Sequence, residues 1–84
     1  MELYIEQTLQ QGIAAHKEGK IHDAERCYRA ILECQPTHPD ANHNLGLLKS
    51  SVNKVDAALP MFKIALEAEP KNERFGFSYI DALI

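Results

Sequence analysis

Apolar positions recur along the chain at helical spacing. In "ERFGFSYIDALI", Glu73 to Ile84, residues Phe77, Ile80 and Ile84 form one apolar row, and Phe75, Tyr79 and Leu83 form a second. Read along the whole chain, the pattern predicts five helices, at about Leu3–Glu18, His22–Cys34, Pro39–Val52, Asp56–Ala68 and Asn72–Leu83. Pro39 suits a first helical turn, and Asp56 suits the N-cap of the fourth helix. With that cap, Pro60 falls at the end of the first turn and removes one backbone bond at most, so the helix is expected to stay continuous. Gly19 and Asn53 occupy the turns inside the two helix pairs, and both residue types tolerate a left-handed backbone.

Sliding the sequence by 34 positions superimposes it on itself. Gly12 meets Gly46, Lys20 meets Lys54, Ala24 meets Ala58, Leu32 meets Leu66, Glu33 meets Glu67 and Pro36 meets Pro70. Ile13 with Leu47, Ile21 with Val55 and Tyr28 with Phe62 are similar pairs. A glycine inside a helix costs about 0.5–1 kcal/mol against alanine, and is tolerated where a neighbouring helix must come close. Ala24 and Ala58 are the matching small residues on the second helices. Tyr28 and Phe62 lie one turn further along the same face, as large residues for the space between units. Pro36 and Pro70 end the second helices.

A 34-residue helix–turn–helix unit with glycine, alanine, an aromatic and proline in this order resembles the tetratricopeptide repeat. The match runs through "LGLLKSSVNKVDAALPMFKIALEAEP" and "GKIHDAERCYRAILECQP", and thins in the first helix, where Thr8, Gln11 and Ala15 replace large apolar residues. The resemblance implies an all-α, right-handed superhelix of antiparallel helix pairs. Repeat 1 is expected at about 5–38, repeat 2 at about 39–72, and a half unit at 73–84, in one domain. Gly76 stands where the family places a bulky residue.

In this family the first helix of each unit lines a concave face that takes extended peptides. Carried onto this sequence, the first unit contributes Glu6, Leu9, Gln10, Ile13, His16 and Lys17. The second contributes Asp40, His43, Asn44, Leu47, Ser50 and Ser51, and the half unit Arg74, Phe77, Ser78 and Asp81. Asn44 is the foremost single candidate, since its carboxamide both donates and accepts. In repeats similar to those of O-GlcNAc transferase, an asparagine at that position grips peptide backbone; Gln10 and Ser78 hold the equivalent places here. The chaperone-tail clamp fits poorly, because Leu9 and Ile13 stand where lysine and asparagine are needed. His16 and His43 would make binding depend on pH if they titrated near 6.5 in the groove; the plainer reading is two surface histidines.

Composition narrows the options. The 84 residues are 45% apolar and 25% charged, ordinary for one small helical domain and too apolar for a disordered chain. The net charge is −3 and the cations are scattered among acids, which disfavours nucleic acid. No apolar run approaches the length that spans a bilayer, and "MELYIEQTLQQ" has no signal-peptide pattern, so a cytoplasmic location and no membrane contact are expected. Cys27 and Cys34 are separated by two helical turns, about 10.5 Å, too far for a disulfide; both read as small buried apolar residues. No phosphate loop, nucleophile elbow or zinc-type histidine pair occurs, so neither catalytic residues, metal nor cofactor is expected.

Three functions remain. The first is a protein-interaction module that binds an extended peptide. The second is a substrate-recruiting N-terminal part of a larger enzyme, because the style of "HPDANHNLGLL" resembles the leading repeats of bacterial glycosyltransferases and sulfotransferases. The third is a self-assembling structural unit. The terminal helix motivates the last two: it aligns with the first helix of a third unit, and Phe77, Ile80 and Ile84 would await a second helix. Either a longer array continues there, or another copy covers the face as a homo-oligomer.

Overall fold

The computed structural model describes residues 1–84 as five α-helices: α1 (Glu2–Lys17), α2 (Ile21–Cys34), α3 (Pro39–Ser51), α4 (Val55–Ala68) and α5 (Glu73–Leu83). Each boundary falls within one residue of its expected place.

The turns are built alike. Glu18 ends α1, and Gly19 follows at φ 78°. The Lys20 amide donates to the Ala15 carbonyl at 2.8 Å and the Gly19 amide to the His16 carbonyl at 3.0 Å. One unit later Asn53 takes φ 62°, with Lys54 donating to Lys49 at 2.8 Å and Asn53 to Ser50 at 3.1 Å. Both are Schellman turns, which satisfy the carbonyls left over at a helix end. The unit starts also repeat. The His38 ring accepts from the Ala41 amide at 3.0 Å, and Asn72, 34 positions on, accepts from the Phe75 amide at 3.3 Å. Each side chain satisfies one orphan donor of the helix it opens.

The fourth helix differs from expectation at its start. Lys54, not Asp56, is its N-cap, without a side-chain cap bond, and Asp56 sits in the first turn. A carboxylate there still favours the positive end of the helix dipole. Pro60 is therefore the sixth helical residue, two positions deeper than expected, yet the helix runs unbroken. Its ring faces solvent, where water can serve the carbonyl left without a donor.

Packing is most extensive within the pairs α1/α2 and α3/α4, less so between α2 and α3 and between α4 and α5. The first helices touch one another lightly, α1 on α3 and α3 on α5. One apolar cluster joins Ile5 and Leu9 of α1, Ala24, Tyr28 and Ile31 of α2, and Ala41, Leu45 and Leu48 of α3. Ala58, Phe62, Ala65 and Phe75 are buried beyond it. Gly12 and Gly46 are the notches that allow the pairs to close. A Cβ on Gly12 would lie 2.6 Å from a ring carbon of Tyr28, and one on Gly46 would lie 2.6 Å from a ring carbon of Phe62. Leu32 and Leu66 are half-buried, whereas Pro36 and Pro70 are exposed and only terminate the helices.

Polar side chains fasten the seams. Asn42, fully buried, donates to the Pro36 carbonyl at 3.1 Å and the His38 carbonyl at 3.0 Å, holding the link between the units. Glu25 of α2 pairs with Lys49 of α3 at 3.0 Å and with Arg29 at 2.7 Å. The Arg29 guanidinium foremost, then the Lys49 ammonium, hold the Glu25 carboxyl below its usual range, against burial that raises it. The cysteines are free, and Cys34 is exposed rather than buried because it lies at the outer end of α2.

Candidate functional site

The residues expected in a groove divide into three groups. On α1, Gln10 and Lys17 are exposed and Ile13 and His16 half-buried. Gln10 is occupied within its own helix, donating to Glu6 at 3.3 Å. Leu9 is not a groove residue. It is 5% exposed and belongs to the core cluster, because its side of α1 turns inward against the second unit.

On α3, Asp40 and Ser51 are exposed, and Asn44, Leu47 and Ser50 half-buried. The Asn44 amide donates to its own helix, at 2.8 Å to the Asp40 carbonyl. One of its two donor hydrogens is thus spent before any ligand arrives. The Ser51 hydroxyl donates to the Leu48 carbonyl at 2.7 Å and lies 3.5 Å from the His16 ring. His43 is a second correction. It is a buried residue, not a surface one: its ring centroid lies 4.7 Å from that of Phe75 and 5.7 Å from that of Phe62, and its Nε2 is 2.7 Å from the Ser78 hydroxyl. Burial foremost, then the nearby Arg74 charge, pushes its pKa down, and Asp40 opposes them.

On α5, Arg74, Phe77 and Asp81 are exposed and Ser78 half-buried. Phe75 reaches the core. Of its expected companions on that face, Tyr79 is half-buried and Leu83 exposed. Phe77, Ile80 and Ile84 are uncovered, at 63%, 54% and 97% exposure.

Between α3 and the second half of α5 lies a cleft of about 560 Å³. Leu47 and Ser50 line one side, Ser78, Asp81, Ala82, Leu83 and Ile84 the other, with Val55 and Phe62 from α4 behind them. It brings together four of the expected groove residues: Leu47, Ser50, Ser78 and Asp81. Asn44, Arg74, Phe77 and the α1 residues lie outside it. Its wall offers apolar surface beside two hydroxyls and one carboxylate, a set that can seat an apolar side chain and accept hydrogen bonds from the backbone on either side.

The chain carries one detectable family signature. Residues 27–59, from the middle of α2 through α3 into α4, match the family model described as tetratricopeptide repeat. That segment is similar to a tetratricopeptide repeat, and the five-helix, all-α arrangement of the chain is consistent with such a helical-repeat fold. No curated protein matches the chain. Tetratricopeptide repeats generally mediate protein–protein interaction and are typically non-catalytic. No helix is long and apolar enough to cross a membrane. Reading the repeat from sequence overlooked Asn42, Glu25 and Lys49, which hold the α2–α3 seam. It also misplaced His43, although the 34-residue spacing puts Leu9 and Phe77 in the same register and marks the position as apolar.

Proposed function

We propose that this chain is a protein-interaction module that seats an extended peptide across the cleft between α3 and α5. The cleft itself carries the reading, because it lies on the side of the first helices and combines Leu47 with Ser50, Ser78 and Asp81. Asp81 favours a peptide with a basic residue near the buried apolar side chain. The module comprises two units, at about 5–38 and 39–72, with 73–84 as a half unit that completes the cleft. In a larger enzyme it would recruit the acceptor protein, the role carried by the leading repeats of the bacterial glycosyltransferases and sulfotransferases it resembles.

The test is a peptide library screened against the isotope-labelled protein. Binding peptides should shift the amides around Leu47, Ser50, Ser78 and Asp81, and Leu47→Asp should abolish the shifts. Binding that survives Leu47→Asp, or that maps to the α2 or α4 outer faces, overturns the reading.

The exposure of Phe77, Ile80 and Ile84 favours a second reading, self-association through α5. Sedimentation over a range of concentrations should then give a dimer that Phe77→Glu dissociates. A concentration-independent monomer removes this reading.

A further inference from the structure

His43 is the one histidine enclosed by the fold, 2% exposed, where three helices meet. Phe62 of α4 and Phe75 of α5 flank its ring, and Ser78 of α5 bonds its Nε2 at 2.7 Å. That bond is the single side-chain hydrogen bond from α5 to α3 or α4, and no salt bridge involves α5. Within α5 only Phe75 is fully buried. Beyond half-buried contacts such as Tyr79 and Ala82, the helix is therefore held by one aromatic anchor and one imidazole, over a short link at Glu69–Asn72 that can act as a hinge.

We propose that α5 is an acid-released cap, undocked from α3 and α4 when His43 gains a proton. Undocking returns the imidazolium to water and exposes the faces of Phe62 and Phe75. Charge facing the ring reinforces this: Arg74 on α5 opposes an imidazolium, Asp40 on α3 favours one, and α4 presents only the Phe62 ring. The direction follows from linkage. The docked state holds His43 below its ordinary value, so the undocked state binds more protons. Docking is at full strength above the ordinary histidine pKa of about 6.5 and weakens as pH falls through it toward the docked value. Each unit of depression makes the undocked-to-docked ratio rise by up to about tenfold. The device does not depend on the peptide reading. If that reading also holds, acid dismantles the cleft, because Ser78 and Asp81 leave with α5.

The test is amide hydrogen exchange of the whole chain at pH 7.5 and pH 5, corrected for the intrinsic pH dependence of exchange, with the His43 ring titrated by NMR. The expected result is a loss of protection confined to α5, by up to about tenfold for each unit of depression, with α1 and α2 unchanged and His43 titrating below 6.5. His43→Leu should make α5 protection independent of pH; Leu9 holds the same register in the first unit, so leucine suits the position. Ser78→Ala should weaken docking at both pH values and keep the acid response. Equal α5 protection at the two pH values overturns the proposal. So does an acid loss that persists in His43→Leu, or a His43 titration at or above 6.5, which would mean that the aromatic faces stabilise the imidazolium. The wild-type measurements decide the matter even if His43→Leu does not fold.

Discussion

Two glycines in the same kind of helix should respond oppositely to one methyl group. Gly46→Ala and Gly76→Ala both gain helix propensity, about 0.5–1 kcal/mol. At Gly76 nothing lies within 4 Å of the new Cβ, so that gain stands alone. At Gly46 the Cβ would sit 2.6, 2.8 and 3.0 Å from three carbons of the Phe62 ring. The ring is 2% exposed and bounded by His43, so it has little room to retreat. Overpacking of this kind costs about 1–3 kcal/mol. The propensity term is common to both variants, so their difference isolates the overlap and should also be about 1–3 kcal/mol. For a domain of this size each kcal/mol shifts Tm by about 4–8 °C. Thermal unfolding followed by circular dichroism at 222 nm should therefore place Gly76→Ala above the wild type and Gly46→Ala at least about 4 °C below Gly76→Ala. Adding Phe62→Leu should recover part of the loss in Gly46→Ala and be only harmful by itself. Equal shifts in the same direction for the two alanine variants would refute the close-approach account of the repeat's glycines.

Three further outcomes follow from buried polar groups. The Tyr28 hydroxyl is enclosed without a hydrogen-bond partner, and burial foremost pushes its pKa up to about 12. Tyr28→Phe, which copies Phe62 one unit later, should raise stability by about 1 kcal/mol, and a lowered urea midpoint would count against it. Asn42→Ala leaves the Pro36 and His38 carbonyls without their donor and should cost about 1–3 kcal/mol; an unchanged midpoint would mean that the link between the units is held otherwise. Glu25→Gln should lower stability by about 1 kcal/mol at pH 7. Because the folded state holds the Glu25 carboxyl below its usual value, its contribution is present above about pH 4.5 and is lost as pH falls below that. Wild type and variant should converge as pH falls through the folded-state value, and a difference that persists once Glu25 is protonated would assign the loss to packing.

Much of the fold was legible because it repeats. The 34-residue register alone pairs Gly12 with Gly46 and Tyr28 with Phe62, and it places Gly19 and Asn53 where a left-handed residue is needed; that each ring packs against the glycine of its own helix pair is visible only in the structure. Features that occur once left no such trace. Lys49 pairs across to Glu25, yet its counterparts in register are Ala15 and Leu83, so no periodicity points to the contact. Asn42 has Thr8 and Gly76 as counterparts, and its role depends on where the Pro36–His38 carbonyls arrive in space. Asp56 looked like a cap by type, but the Schellman turn at Asn53 starts the next helix sooner. Leu9 and His43 were assigned to the groove by analogy between positions. Their burial depends on how far each first helix rolls toward its neighbour, a tertiary property that residue type alone does not encode.

The matching notches at Gly12 and Gly46 have a consequence for the folding reaction. Each glycine meets an aromatic ring at the same register, so α4 is a decoy partner for α1: it offers Phe62 where α2 offers Tyr28. Connectivity breaks the tie. Pairing α1 with α2 closes only the turn Glu18–Lys20, whereas pairing it with α4 closes the whole segment 18–54. The entropy of loop closure favours the short circuit by about 2 kcal/mol. Between two molecules that advantage is absent, and α1 of one copy can meet α4 of another. Lengthening the Gly19 turn should thus slow productive hairpin closure and raise the yield of helix-exchanged dimers at high protein concentration.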